Sequence, residues 1–239
     1  MNTKKKYKKY KYIFLKQGYV VIQKFLSKSD LESCHNQLIK SYNKILNKNI
    51  NYKNIDQILI LHEKNKDWDK MYEAFKEVSN SNAFKKISKK LAILARKILD
   101  IKLKSINTAY AIGMKSTNRT SYLWHQEKSY YSNLNTIHFQ FPFIRPLNKK
   151  NGTMSFLEKS HVMGNIQNLY NKQKHSKSVN SFVPKEMKEI EKNFKEKFLT
   201  LLMGDVCLFH QNIIHRSNAN NTNKIRFAGI VRFQKILNN

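Results

Sequence analysis

The stretch SYLWHQEKSY, residues 121–130, sets His125 and Glu127 two positions apart directly behind Trp124. In an extended, strand-like segment the side chains at i and i+2 leave the same face. An imidazole and a carboxylate would then aim at one point, which is the beginning of a metal site. Trp124 projects from the opposite face and reads as core. A third ligand has to come from elsewhere in the chain.

The stretch GDVCLFHQNIIHRSNANNTNKIRFAGIVRF, residues 204–233, offers two more histidines, His210 and His215, and then Arg226. Two histidines and one carboxylate on one side of a metal leave positions open, the arrangement of non-haem iron(II) oxygenases. Open positions matter there because a cosubstrate and O2 must both reach the iron. An arginine on a neighbouring strand could hold the far carboxylate of a chelating 2-oxo acid through a bidentate pair. On spacing alone, either His210 or His215 can complete the set.

Working outward, GYVVIQ contains a short strand at Tyr19–Ile22, followed by a helix that Ser27 or Ser29 caps, with Asp30 and Glu32 in its first turn. Leu31, Cys34, Leu38 and Tyr42 recur at helical spacing and should face a core. Residues 66–78 and 81–99 also read as helices, the second with Phe84, Ile87, Leu91, Leu94 and Ile98 as one apolar stripe. From about residue 102 the texture changes to short β-branched or aromatic runs between turn formers, with Asn151–Gly152 as a hairpin signal. A short helix is expected near 185–196. The polar segment 165–183 reads as a long loop beside whatever the core binds. The expected architecture is mainly β with flanking helices: a jelly-roll or barrel core and an N-terminal helical layer. The expected organisation is a basic mobile tail over 1–11 and one domain over 12–239, its helical layer spanning 12–100 and its β core 101–239.

The chain has 239 residues, 41% of them apolar, enough to bury a real core. No apolar run approaches the roughly 20 residues that span a bilayer. The lysine- and tyrosine-rich start lacks the apolar stretch of a secretory signal, so a cytoplasmic location is expected. Cys34 and Cys207 have no metal-ligand or redox spacing. The formal charge is +29, yet only six of the 45 basic residues are arginine, and the lysines are spread along the chain. Nucleic-acid readers lean on arginine, whose planar fork suits phosphate and guanine. The charge therefore fits an AT-rich coding bias, and a surface that draws in an anionic small molecule, better than nucleic-acid binding.

Four pieces in order resemble the phytanoyl-CoA dioxygenase family of iron(II)/2-oxoglutarate oxygenases. GYVVIQKFLSKSDLE (18–32) is similar to that family's opening strand and helix, and WHQE (124–127) to its WHQD-type metal motif. NGTMSFLEKSHVMG (151–164) resembles its Gly-Ser-His segment, with Lys159 where glycine is usual. HRSNANNTNKIR (215–226) resembles its closing His-x-Ser and arginine. The resemblance implies a double-stranded β-helix (jelly-roll, cupin-like) in which His125, Glu127 and His215 ligate iron(II). It also implies that Arg226 grips the distal carboxylate of 2-oxoglutarate with help from Ser217. His210 is then a packed strand residue and His161 a loop-ordering one.

Tyr130 and Tyr131 fall where substrate contacts would lie, although aromatic strand residues are more often core. Arg216 reads as solvated and Arg232 as an outer-face residue. The implied activity is hydroxylation of an unactivated C–H bond of a small metabolite, using O2 and releasing succinate and CO2; the tilt toward an anionic one comes from the basic surface alone. The rival readings are a catalytically degenerate relative, prompted by glutamate at 127 where the family has aspartate, and a basic nucleic-acid-binding protein on the same scaffold.

Overall fold

The computed structural model describes residues 3–58, 60–61, 68–113, 123–172 and 180–236. Four of its helices precede most of the strands: α1 (Thr3–Gln17), α2 (Lys28–Leu46), α3 (Trp68–Asn80) and α4 (Asn82–Leu99), with strand β1 (Tyr19–Ile22) between the first two. The long strand β2 (Lys102–Gly113) follows, then β3 (Thr136–Pro142), β4 (Met154–Leu157), β5 (Asn168–Lys172) and β6 (Asn180–Pro184). A short helix α5 (Met187–Asn193) leads into β7 (Glu196–Phe198), β8 (Val206–His210), β9 (His215–Ser217) and β10 (Arg226–Ile236).

The helices start where the sequence marks them. Ser27 caps α2 and forms a capping box with Asp30, each satisfying the other's backbone donor. Leu31, Cys34, Leu38 and Tyr42 are buried along that helix, as are Phe84, Ile87, Leu91, Leu94 and Ile98 along α4. Of the expected tail over 1–11, residues 3–11 form the first part of α1, and 1 and 2 lie outside the described residues. Tyr7, Tyr10 and Ile13 pack at helical spacing against the core and Phe14 is buried in it, so the lysines between them ride on a docked helix.

Every strand pair among the described residues is antiparallel. Five strands form one sheet in the order β1–β8–β3–β10–β2, three form a second in the order β7–β4–β9, and β5 and β6 make a ribbon. Alternation sorts the large sheet into two faces. Val20, Ile22, Phe139, Phe141, Leu208, Phe227 and Phe233 face the helices and build the main core. Tyr19, Cys207, Phe209 and Ala228 face the small sheet and meet Met154 and Phe156. Tyr19 and Phe156 stack at 4.7 Å across that gap. Two facing sheets with helices on the outside of one make the double-stranded β-helix expected from the sequence. Each buried phenylalanine contributes about 1.5–3 kcal/mol of transfer free energy to this layering.

Two local expectations need correction. Asn151–Gly152 does form a turn, with Gly152 at φ +75° where an added Cβ would sit 2.5 Å from the Asn218 carbonyl. It joins strands of different sheets rather than closing a hairpin, because β4 pairs with β7 and β9. The segment 165–183 is no irregular loop: β5 and β6 pair over Asn168–Lys172 and Asn180–Pro184, and residues 173–179 lie outside the described ones. The helix expected over 66–78 is α3, with 66 and 67 also outside them. Among the described residues no helix is long and apolar enough to cross a membrane.

Candidate metal centre

His125 is not in a strand proper. It forms an isolated antiparallel bridge with His215, the first residue of β9, through reciprocal backbone hydrogen bonds of 2.9 and 3.0 Å. Gln126 is extended (φ −110°, ψ 140°) and Glu127 opens a single 3-10 turn over Glu127–Ser129. One extended residue between them is enough to turn His125 and Glu127 to a common side, so the i, i+2 logic survives without the strand. Gln126 is itself pinned: its amide donates to the Gly164 and Asn212 carbonyls, at 2.9 and 2.7 Å, and accepts from Ile166 N–H at 3.0 Å.

Ligand atoms of His125, Glu127 and His215 all lie within 4.8 Å of one another, and all three residues are buried. His215 Nε2 stands 3.6 Å from Glu127 Oε1, and the two imidazole rings are 4.2 Å apart. Nδ1 of His125 lies 2.7 Å from the Leu123 carbonyl, and Nδ1 of His215 lies 2.9 Å from the Ile213 carbonyl. A carbonyl only accepts, so each ring carries its proton on Nδ1 and turns an Nε2 lone pair into the site. Burial, reinforced by His215, pushes the His125 imidazole down to about 3, which keeps it neutral and able to ligate. For Glu127, burial pulls upward, but the opposing pull, led by the Arg232 guanidinium, wins and holds the carboxyl well below the usual range. Two imidazoles presenting Nε2 and one carboxylate form the donor set that suits a divalent first-row metal.

The same inner face carries polar groups with nothing to bind among the described residues. Arg226 begins β10, is buried, and leaves Nε and Nη1 without a partner; burial lowers its guanidinium to about 10. Alternation along β10 puts Arg226, Ala228, Ile230 and Arg232 on one face, and β10 pairs Ile230 with Gln140 and Arg232 with His138 on β3. Both amide atoms of the buried Gln140 and Nδ1 of the buried His138 are also unpartnered. An unsatisfied buried polar group costs about 1–3 kcal/mol, more when charged. Such a row leaves unsatisfied hydrogen-bonding capacity on the sheet face from which Arg232 reaches Glu127. Ser217, two residues beyond His215 on β9, shares that strand's inward face with it.

The remaining candidates sort cleanly. Tyr130 is 37% exposed and stands edge-on to the His125 ring at 5.6 Å and to Phe182 of β6 at 5.2 Å. Tyr131 lies under the Arg232 guanidinium at 5.8 Å. Both tyrosines therefore border the centre rather than filling the core. His210 leaves β8 on the opposite face from Phe209, toward Phe14 and His161, and takes no part in the centre. His161 Nε2 donates to the Leu15 carbonyl at 2.9 Å. Trp124 packs with Leu157, Ile190 and Ile214, away from the site. Arg216, expected to be solvated, binds both oxygens of Glu196 at 2.9 and 3.1 Å and covers the Trp124 ring at 4.2 Å. Arg232, expected on the outer face, points inward onto Glu127. Strand pairing decides which face is inner, and sequence does not disclose it.

His138 and Gln140 escaped sequence reading because every residue of β3 is buried, so no polar–apolar alternation marks a functional face. His138 is held by a readable chain of bonds. Thr136 Oγ1 donates to Gln211 Oε1 at 3.0 Å, so it accepts from His138 Nε2–H at 2.8 Å. Nδ1 of the neutral ring is then bare and lies 3.9 Å from Glu127 Oε2.

Two histidines and a carboxylate converging inside a double-stranded β-helix define the class: a β-helix scaffold with a candidate metal centre. The phytanoyl-CoA dioxygenase model matches residues 14–228, and the chain belongs to that family. A comparison of the sequence with curated proteins finds no match. The fold is similar to that of EvdO2 from Micromonospora carbonacea var. aurantiaca complexed with 2-oxoglutarate, at 12% identity and a TM-score of 0.65 over 95% of this chain and 90% of that one. The epimerase SnoN in complex with Fe3+, alpha ketoglutarate and nogalamycin RO is similar at 11% identity, with a TM-score of 0.63 over 96% and 84%. EctD from S. alaskensis with 2-oxoglutarate and 5-hydroxyectoine is similar at 18% identity, with a TM-score of 0.61 over 94% and 74%.

Proposed function

We propose that the protein is an iron(II)- and 2-oxoglutarate-dependent oxygenase acting on a small molecule. The observation that carries this reading is the convergence of His125, Glu127 and His215, backed by the buried guanidinium of Arg226 with two unpartnered nitrogens. Bound iron(II), 2-oxoglutarate and O2 would supply the oxidising chemistry: cosubstrate decarboxylation to succinate and CO2, with one oxygen atom inserted into a C–H bond. The chain does the rest. The Leu123 and Ile213 carbonyls fix the two imidazole tautomers, and Glu127 contributes the anionic ligand. Arg226, assisted by Ser217, would clamp the distal carboxylate of the cosubstrate, and Gln140 would offer that ligand an amide from the adjoining strand. Tyr130, Tyr131 and the β5–β6 ribbon flank the entrance where substrate would approach.

Hydroxylation is the default outcome, since a fold neighbour described as an epimerase shows that this scaffold also serves other reactions. The excess of basic residues favours an anionic substrate by steering. A succinate-release screen of the iron-loaded protein against a metabolite library tests both points. The reading predicts substrate-stimulated succinate for a narrow set of compounds, with anions over-represented. Succinate release at background for every compound, with iron and 2-oxoglutarate bound, would count against it.

A further inference from the structure

Arg232 addresses both oxygens of Glu127: Nε lies 3.4 Å from Oε2 and Nη2 lies 3.4 Å from Oε1. Its side chain is only 14% exposed, and its Cζ sits 5.8 Å above the Tyr131 ring, which supports the guanidinium plane from beneath. It stands opposite His138 on β3, so β-sheet register rather than a flexible loop sets its position. A glutamate has one more rotatable bond than an aspartate and reaches more than an ångström further. Left alone, it would have to be ordered by the metal itself, at a cost in side-chain entropy. A two-pronged donor already in contact removes that freedom beforehand.

We infer that Arg232 is a positioning residue that braces the longer carboxylate of Glu127 for metal binding, so that Glu127 and Arg232 work as a matched pair. The inference rests on the metal-site reading above but not on the reaction. It has a physical rival with the opposite sign. A guanidinium beside the site could compete with the metal for the carboxylate and repel the incoming cation, in which case removing it would tighten binding. Outer-shell partners of metal ligands that act as braces are typically worth about 10–100-fold in metal affinity.

Cobalt(II) is the probe, because its visible d–d absorption reports ligand geometry and its affinity can be titrated without turnover. Arg232→Gln should weaken cobalt binding about 10–100-fold and broaden or shift the d–d bands. Arg232→Lys, which keeps the charge but loses the fork, should recover only part of the affinity. Glu127→Asp should weaken binding in the presence of Arg232 but cost little more in an Arg232→Gln background, because an aspartate no longer reaches the brace; contacting residues are non-additive in this way. Melting temperatures of the metal-free variants check folding, and if Arg232→Gln does not fold, the comparison of Arg232→Lys with Glu127→Asp decides in its place. Unchanged or tighter cobalt binding in a folded Arg232 variant, or strictly additive losses in the double variant, overturns the pairing. The oxygenase reading fails by a different sign: cobalt bound tightly by the wild type, with a spectrum that 2-oxoglutarate leaves untouched.

Discussion

His125 and His215 face each other through two reciprocal backbone hydrogen bonds, and their rings lie 4.2 Å apart with both Nδ1 protons spent on carbonyls two residues upstream. The bridge fixes the spacing of two candidate ligands that the sequence places far apart, and the carbonyls fix their tautomers. Replacing either histidine by alanine should abolish iron(II) binding while leaving the fold cooperative. Anaerobic calorimetry with iron(II), beside circular dichroism, checks this; micromolar or tighter binding in His215→Ala would contradict it.

On the proposed function, Arg226 trades stability for binding. Its guanidinium is buried with two nitrogens unpartnered among the described residues, a desolvation cost that the ligand-free protein carries. Arg226→Met should therefore leave the melting temperature of the ligand-free protein unchanged or higher. The same variant should raise the KM for 2-oxoglutarate about 10- to 100-fold, since hydrogen bonds to a charged group contribute about 1.5–3 kcal/mol each. A lower melting temperature with an unaltered KM would place the residue in the scaffold alone.

Gln140 should behave in the same direction more mildly. Gln140→Leu removes a neutral buried amide whose two polar atoms are unpartnered among the described residues, at nearly constant volume. Urea unfolding is expected to show equal or greater stability, and titration with 2-oxoglutarate at saturating metal a several-fold weaker affinity. Loss of stability with no change in affinity would refute the assignment of the amide to the ligand chamber.

Acid should weaken the metal-free protein. Burial pushes the His125 and His138 imidazoles down to about 3, whereas the same groups titrate near 6.5 when unfolded. Between those values the unfolded chain binds more protons, so stability is full above about pH 6.5 and falls as pH falls toward 3. Glu127 adds to the loss further down: its depressed carboxyl contributes fully above about 4.5 and loses that contribution as pH drops through its lower folded value. Urea midpoints measured from pH 7.5 to 4 should decline steadily; a flat profile would mean these groups are not neutral imidazoles and an ionised carboxylate in the fold.

Gly229 is a packing test of the inner sheet. A Cβ there would meet the Phe141 ring at 2.1 Å, and Phe141 lies directly opposite on β3. Gly229→Ala should destabilise by about 1–3 kcal/mol through forced side-chain shifts. Differential scanning calorimetry reads this as a lower melting temperature; a wild-type value would show that the ring has room to move.

Local signals in the sequence account for the parts of the site that were legible. Ser27 and Asp30 announced α2, the stripe from Phe84 to Ile98 announced α4, and the short spacing of His125 to Glu127 carried their common direction. Arg232, His138 and Gln140 were not legible, because their roles depend on which residues β3, β8 and β10 set opposite one another. A one-residue change of register would turn each to the other face. The lysines of α1 misled in a different way. Charge density suggested a free tail, while Tyr7, Tyr10, Ile13 and Phe14 held the helical period that docks it.

The most direct test of the central claim is an anaerobic titration of the wild type with iron(II) and 2-oxoglutarate, followed in the visible range. Three convergent ligands that leave room for a chelating 2-oxo acid predict a weak charge-transfer band that requires both components, saturates at one equivalent of iron, and is absent in His215→Ala. No band at saturating iron and 2-oxoglutarate, in a protein shown to be folded, would contradict it.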